Sequence, residues 1–412
     1  MSTSLDQFAS SVRNLSATGN FEKLNELCNK SKDLLSKNYG QLDDILQTFD
    51  LQEHSLGILT ILVCKAALDG AKDDEALLHL IEDFIAGCSS EQVKSALDNY
   101  NSLIHSYTNF LVLKKQAIRG IIHLQKAITK IRLHQSQLTF IHADLCQLCI
   151  LAKCFKPALK FLDVEINSIA KDAGPSEVKY FLLYYYYGGM IYASLKNWDR
   201  SLYFFEVALT TPSMAISMIM VEAYKKYILV SLILDGKFPS LPKYTSSIIT
   251  RFSKNFSSPY KNLATAYATH DSNEVSNVIQ KYSATFNADN NMGLVKQCLV
   301  SLHKKNIQKL TKTFLTLSLN DMADRVQLSS AKEAEFYVLK MIEDGEIFAS
   351  INQKDGMVVF LDNPEKFNSA KVFRKLEDEM KTCIALDENL RKMNHEIAIN
   401  PKYLHKIRVE PE

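Results

Sequence analysis

Through most of its first 300 residues the chain repeats apolar side chains at helical spacing, with few breaks. Only 13 glycines and 9 prolines occur in 412 residues, well below the usual roughly 7% and about 5%. A chain with so few breakers is predicted to form long helices with short connections. Its length allows two or three domains and a large core.

A single layout recurs within this helical region. "ATGNFEKL" (17–24), "AKCFKPAL" (152–159), "LKNWDRSL" (195–202) and "LDGKFPSL" (234–241) each place an apolar residue, a polar turn, an aromatic, two or three residues and then Leu. The aromatics are Phe21, Phe155, Trp198 and Phe238, the last three spaced by 43 and 40 residues. In "YYGGMIYASLKNWDRSLYFFEVALTTP", Gly189, Tyr192, Ser201, Phe205 and Ala208 stand at the small and aromatic positions of a tetratricopeptide repeat. Small residues let paired helices approach, and aromatics fill the groove against the next pair.

The pattern changes near residue 304. "NIQKLTKTFLTLSL" (306–319) reads as one amphipathic helix, and "NDMADRVQL" (320–328) as a short second helix with Asn320 as N-cap. A third is predicted from a capping box at Ser330 and Glu333 to Asp344, with Gly345 as its stop. "EIFASINQ" and "MVVF" then flank "KDG", where Asp355-Gly356 signals a two-residue hairpin turn. Three helices and a hairpin make a winged helix. Its exposed hairpin edge is a ready pairing surface, with Ile347, Phe348, Ile351, Asp355, Gly356, Val358 and Phe360 as candidate interface residues. After Pro364 one long helix is predicted. Phe373, Leu376, Met380, Cys383, Leu390 and Ile397 form a heptad-like seam on it, interrupted at Asp387 and Asn394. Such a narrow seam needs partner helices.

Charge decides against nucleic acid. The net charge is +2, and the third helix from Ala331 to Glu346 carries five acids against Lys332 and Lys340. Phosphate contacts need cations there. Lys296, Lys304, Lys305, Lys309 and Lys312 read as a solvated face or a dock for an acidic protein surface. "HADLCQLCILAKC" offers His142, Cys146, Cys149 and Cys154 as a zinc set, but Cys146 and Cys149 also suit packing positions of a repeat helix. HxH, HExxH, G-x-S-x-G, a Walker loop and a dinucleotide fingerprint are all missing from the sequence. No catalytic, cofactor or metal residues are therefore assigned. Eight scattered cysteines fit free thiols, and the start shows no signal peptide. "LGILTILVCKAAL" is too short to span a bilayer and contains Lys65.

Helical repeats leading into "TFLTLSLNDMADRVQLSSAKEAEFYVLKMIEDGEIFASINQKDGMVVF" resemble the PCI-domain family of the proteasome lid, the COP-nine signalosome and translation initiation factor three. "LTFIHADLCQLCILAKCFKPAL", "YYYYGGMIYASLKNW" and "LHKKNIQKLTKTFLTLSL" make the chain most similar to the signalosome's PCI subunits. The resemblance implies a mostly α fold: a right-handed superhelix of tetratricopeptide-like repeats, a winged-helix (PCI) subdomain and a long C-terminal helix. The expected domains are 1–195 for the repeats, 196–363 for the PCI domain with its winged helix at 304–363, 364–399 for a bundle helix and 400–412 for a tail. It further implies a non-catalytic scaffold, in the cytoplasm and nucleus, of a complex that removes the ubiquitin-like modifier Nedd from cullins and regulates cullin-RING ligases. Partners would be other PCI and metalloprotease-like subunits, without nucleic acid, membrane or cofactor. The zinc isopeptidase would be a different subunit.

Overall fold

The computed structural model describes residues 4–67, 75–170, 177–212, 215–246, 249, 251, 257–362, 369–401 and 403–405. They form two compact units, 1–303 and 304–412. No helix among the described residues is long and apolar enough to cross a membrane.

The first unit is built of helices. In order they are α1 (Ser4–Ala17), α2 (Phe21–Lys37), α3 (Leu42–Thr48), α4 (Ser55–Ala66), α5 (Glu75–Gly87), α6 (Ser90–Lys94), α7 (Leu97–Leu113) and α8 (Ala117–Ile131). Then come α9 (Ile141–Leu151), α10 (Lys156–Leu162), α11 (Glu177–Ser194), α12 (Trp198–Thr210) and α13 (Met218–Leu234). The unit ends with α14 (Ser258–Ala268), α15 (Ser272–Lys281), α16 (Ser283–Ala288) and the opening turns of α17 (Met292–Thr311). Two short strands, β1 (Gln137–Leu138) and β2 (Ser168–Ile169), pair in parallel. One continuous apolar core runs from Leu5 to Leu302.

The recurring layout has a backbone cause. In all four copies the polar turn holds a residue in the left-handed region: Gly19, Lys153, Lys196 and Gly236. That conformation ends a helix by turning its last carbonyls back toward the chain. Phe21 and Trp198 then open α2 and α12, and Phe155 caps α10. The fourth copy departs from the expected repeat. Phe238 opens no helix among the described residues and stays partly exposed.

The helix pair α11–α12 realises the expected close approach. A Cβ on Gly188 would stand 2.6 Å from the Phe204 ring, and one on Gly189 would stand 2.7 Å from the Phe205 ring. Ser201 Oγ donates to the Gly189 carbonyl at 2.9 Å, tying the pair at the same point. In the tyrosine run, Tyr184 and Tyr185 are core and Tyr186 and Tyr187 pack against it. The apolar run around Lys65 is the buried α4. Its ammonium ion pairs with Asp43, so one member of the Asp43-Asp44 pair has a structural role. The acidic pair Asp73-Asp74, which like Asp43-Asp44 reads from the sequence as surface or a cap, lies outside the described residues.

The zinc candidate dissolves into the same core. Cys146 and Cys149 are buried among the apolar side chains of α9, and Cys154 lies past its end. His142 Nδ1 faces Thr139, whose backbone N–H donates to it at 3.1 Å. The ring packs edge-on against Phe161 and Tyr184. No group of His, Cys, Asp and Glu among the described residues could hold a metal ion. Burial lowers the His142 pKa to about 4, because a desolvated imidazolium is unfavourable there.

The second unit is a winged helix followed by one long helix. After α17 come β3 (Thr316–Ser318), α18 (Leu319–Val326), α19 (Ala331–Glu343), β4 (Ala349–Asn352), β5 (Met357–Phe360) and α20 (Ala370–Ile399). The order helix, helix, helix, hairpin agrees with the expectation, but three local readings change. Residues 306–319 are not one helix: α17 ends at Thr311, and 316–318 extends as β3 along β5. The second helix is capped by Ser318 instead of Asn320, since the Ser318 hydroxyl accepts from the Asp321 amide at 3.0 Å. The hairpin loop is four residues long, 353–356, because Asn352 pairs with Met357. Only Gly356 in it has positive φ. The third helix follows expectation: Ser330 caps it, and Gly345 leaves it with φ +71°. The sheet order β3–β5–β4 packs Leu317, Ile347, Val358 and Phe360 onto Met322, Val338 and Met341. Lys304 clamps the far end of α19, donating to Asp344 at 3.0 Å and to Glu346 at 2.8 Å.

Two stability outcomes follow from these contacts. Gly189→Ala drives a methyl into the Phe205 ring and lowers stability by about 1–3 kcal/mol. Gly293→Ala, which meets nothing within 4 Å on helix α17, raises it by roughly 0.5–1 kcal/mol; thermal denaturation reads both. His142 is held neutral below its unfolded pKa of 6.5, so its contribution is present above pH 6.5 and is lost as pH falls toward 4. That loss amounts to about 3 kcal/mol at most. Denaturant titrations at about pH 7 and about pH 4.5 should show a shallower acid loss for His142→Asn than for the wild type.

Candidate functional site

The candidate interface residues lie on the second unit. β5 is the central strand, so β3 and β4 flank it, and no strand among the described residues pairs with the outer side of β4. Leu361 N–H donates to the Phe348 carbonyl at 2.8 Å, and the register runs through Ser350↔Val359 and Asn352↔Met357. Antiparallel alternation then turns the N–H and C=O of Ala349 and Ile351 away from β5, toward any strand laid alongside. These are the groups that strand addition uses.

The expected edge residues divide between core and surface. Ile347, Val358 and Phe360 are buried at 5%, 0% and 7% exposure, so they hold the wing on its helices from inside. Ile351 is half-buried on the same core, and Phe348 is half-buried. Asp355 accepts from Asn352 Nδ2 at 2.7 Å, and the Gly356 carbonyl accepts from the Leu319 amide at 2.8 Å. Both belong to the loop. The sequence reading misses Val359 and Leu361, which alternate with Val358 and Phe360 and stand on the outer face of the sheet, 36% and 57% exposed. Period-two alternation along "MVVFL" is the signal that finds them.

The third helix has an unexpected outward face. Its buried stripe is Ala334, Val338 and Met341, which leaves Phe336 and Leu339 outside at 60% and 48% exposure. The Lys340 ammonium sits 5.8 Å from the centre of the Phe336 ring. A winged helix that reads DNA presents this face to the groove. Here it is apolar at its centre, and the acids Asp344 and Glu346 at its end are held by Lys304.

The long helix α20 is the second surface. Ser369 caps it, accepting from the Val372 amide, and i,i+4 pairs Glu377–Lys381 and Asp387–Arg391 support it. Phe373, Leu376, Met380, Leu390 and Ile397 are each about half exposed or more, between 49% and 68%, and Cys383 is exposed as well. So the seam is open along its whole length. It is also more regular than expected, because Leu386 and Met393 fill the two apparent interruptions one residue early. The series 373, 376, 380, 383, 386, 390, 393, 397, flanked by exposed Ile384 and Ile399, contains one three-residue step out of turn, at 383 to 386. In a helix of about 3.6 residues per turn, that step and the ordinary drift set the second half of the stripe roughly 90° around from the first.

The comparisons agree with this architecture. The family model for "COP9 signalosome complex subunit 3, N-terminal helical repeats" matches residues 18–249, more than half of the chain, and the PCI domain model matches residues 279–362. A Drosophila melanogaster protein named COP9 signalosome complex subunit 3 is 46% identical over 423 residues, covering 98% of this chain and 95% of the relative. A Dictyostelium discoideum protein of the same name is 37% identical over 380 residues, covering 92% of this chain and 90% of the relative. A helical-repeat unit, a winged helix with an open edge and near full-length similarity to these relatives lead to one assignment: the chain belongs to the COP9 signalosome complex subunit 3 family.

Proposed function

We propose that the chain is a non-catalytic scaffold subunit of the COP9 signalosome. The observation that carries this reading is α20, a 30-residue helix whose apolar stripe has nothing to cover it among the described residues of its own chain. A helix of that length with an open stripe is stabilised by burial against other helices. The β4 edge supplies a different mode of contact, backbone pairing with a neighbouring PCI subunit. Its assembly removes Nedd from cullins and so regulates cullin-RING ubiquitin ligases in the cytoplasm and nucleus. The isopeptidase chemistry belongs to another, metalloprotease-like subunit, in keeping with the absence of HxH and HExxH from this sequence. The nucleic-acid alternative gains no support from α19, whose outward centre is Phe336 and Leu339.

Removing residues 366–412 should leave a chain that melts cooperatively at an unchanged temperature and no longer co-purifies with its partners. Leu376→Glu with Leu390→Glu should do the same without shortening the chain, since each buries a charge in the seam. Normal recovery of partners by either variant would refute the helix reading. At the edge, Ala349→Pro removes an outward donor and keeps the ladder to β5. Its expected effect is a loss of neighbour binding, with thermal stability within about 1 kcal/mol of wild type. Ser350→Pro breaks the ladder itself and should destabilise the wing.

A further inference from the structure

A polar groove on the first unit lies outside both assembly surfaces. Helix α2 brings Asn25, Asn29 and Lys32, at i, i+4 and i+7, to one face. Lys94, Ser95, Asp98 and Asn99, from the α6–α7 connection, line the opposite wall of a cavity of about 400 Å³. The walls are cross-linked by amides. Asn25 Nδ2 donates to the Ser95 carbonyl at 3.0 Å, and Asn29 Nδ2 donates to Asn25 Oδ1 at 3.2 Å. Asn99 Nδ2 donates to Asn29 Oδ1 at 3.2 Å, and Lys32 Nζ donates to Asn99 Oδ1 at 2.7 Å. The volume falls in the range of ligand pockets, yet the lining is polar throughout most of its wall.

Among the described residues most shielded lysines are ion-paired, whereas Lys32, like Lys130 on the Ala86 and Cys88 carbonyls, rests on neutral oxygens. Lys65 pairs with Asp43, Lys114 with Glu75, Lys225 with Glu222 and Asp289, and Lys304 with Asp344 and Glu346. Half-buried Lys32 instead rests on a neutral amide, with no carboxylate within ion-pair distance among the described residues. Lys94, on the same cavity, has no ion pair there either, and Asp98 pairs with neither lysine. Shielding an ammonium from water is unfavourable without a counter-charge, so half-buried Lys32 is short of an anion, and exposed Lys94 and Asp98 leave the groove with one cation in excess.

We propose that this groove binds an acidic peptide segment of a partner protein. Its carboxylates would meet the Lys32 and Lys94 ammonium groups in charge-assisted bonds. Its backbone amides would meet the side-chain amides of Asn25, Asn29 and Asn99. The amides favour a peptide over a simple anion, because an amide offers both donor and acceptor to a peptide backbone, whereas phosphate can use donors alone.

Fluorescence anisotropy on the full chain tests this, with a fluorescein-labelled heptapeptide of alternating aspartates and glutamates as probe. Saturable binding is expected, weakened about tenfold or more by Lys32→Met and by Lys94→Glu, each losing a charge-assisted bond. Both side chains lie at the surface of the groove, and circular dichroism melts confirm that the variants fold. Three results would overturn the proposal: no saturable binding, equal affinity for the Asn/Gln version of the peptide, or unchanged affinity in both folded variants. Displacement of the probe by inorganic phosphate at concentrations matched to the peptide would also overturn it, since the groove would then be a plain anion site.

Discussion

The first unit depends on how closely its helices can approach. At α11–α12 the approach is set by Gly188 and Gly189 against Phe204 and Phe205, where even a methyl would collide with a ring. Interiors packed to this density cannot absorb extra volume by expanding locally. The aromatics therefore fix the spacing of the pair, and each pair fixes the next through one uninterrupted core from Leu5 to Leu302. Left-handed residues at the turns, Gly19, Lys153, Lys196 and Gly236, let the chain reverse within a few residues and keep that core continuous.

The second unit follows a different rule. Its core is small, centred on Met322, Val338, Met341, Val358 and Ile307, and nearly every apolar residue of the winged helix that faces inward is used there. What remains outside is ordered, since β4 presents backbone and α19 presents Phe336 and Leu339. The same fold that carries a reading helix to DNA elsewhere is here dressed with the aromatic and aliphatic surface of Phe336 and Leu339.

Much of this is legible in the sequence, and the exceptions have physical reasons. Helical spacing, scarce glycine and proline, Ser330 with its capped helix and Gly345 all act locally, so residue order alone reveals them. β3 reads as the end of a helix because "TLS" has no period of its own and extends only through pairing with β5. The hairpin loop is four residues long because the strand register, set by Ile351 and Val358 packing on the core, outweighs the local preference of Asp355-Gly356. Ile347, Val358 and Phe360 resemble interface residues in the sequence because a strand's two faces look alike until the helices beneath it are known. The polar groove is hidden for a similar reason: Lys32 and Asn99 are 67 residues from each other and meet only in the folded chain.

The quarter-turn in the stripe of α20 has a consequence for how the protein lives in a cell. One straight helix can cover only one half of such a stripe, so the two halves need different neighbours. Until both arrive, the chain carries a row of uncovered Phe, Leu, Met and Ile side chains that aggregation or degradation can act on. On the proposed scaffold reading, burial of the stripe by partner helices would shift the chain by mass action toward the folded, protected state.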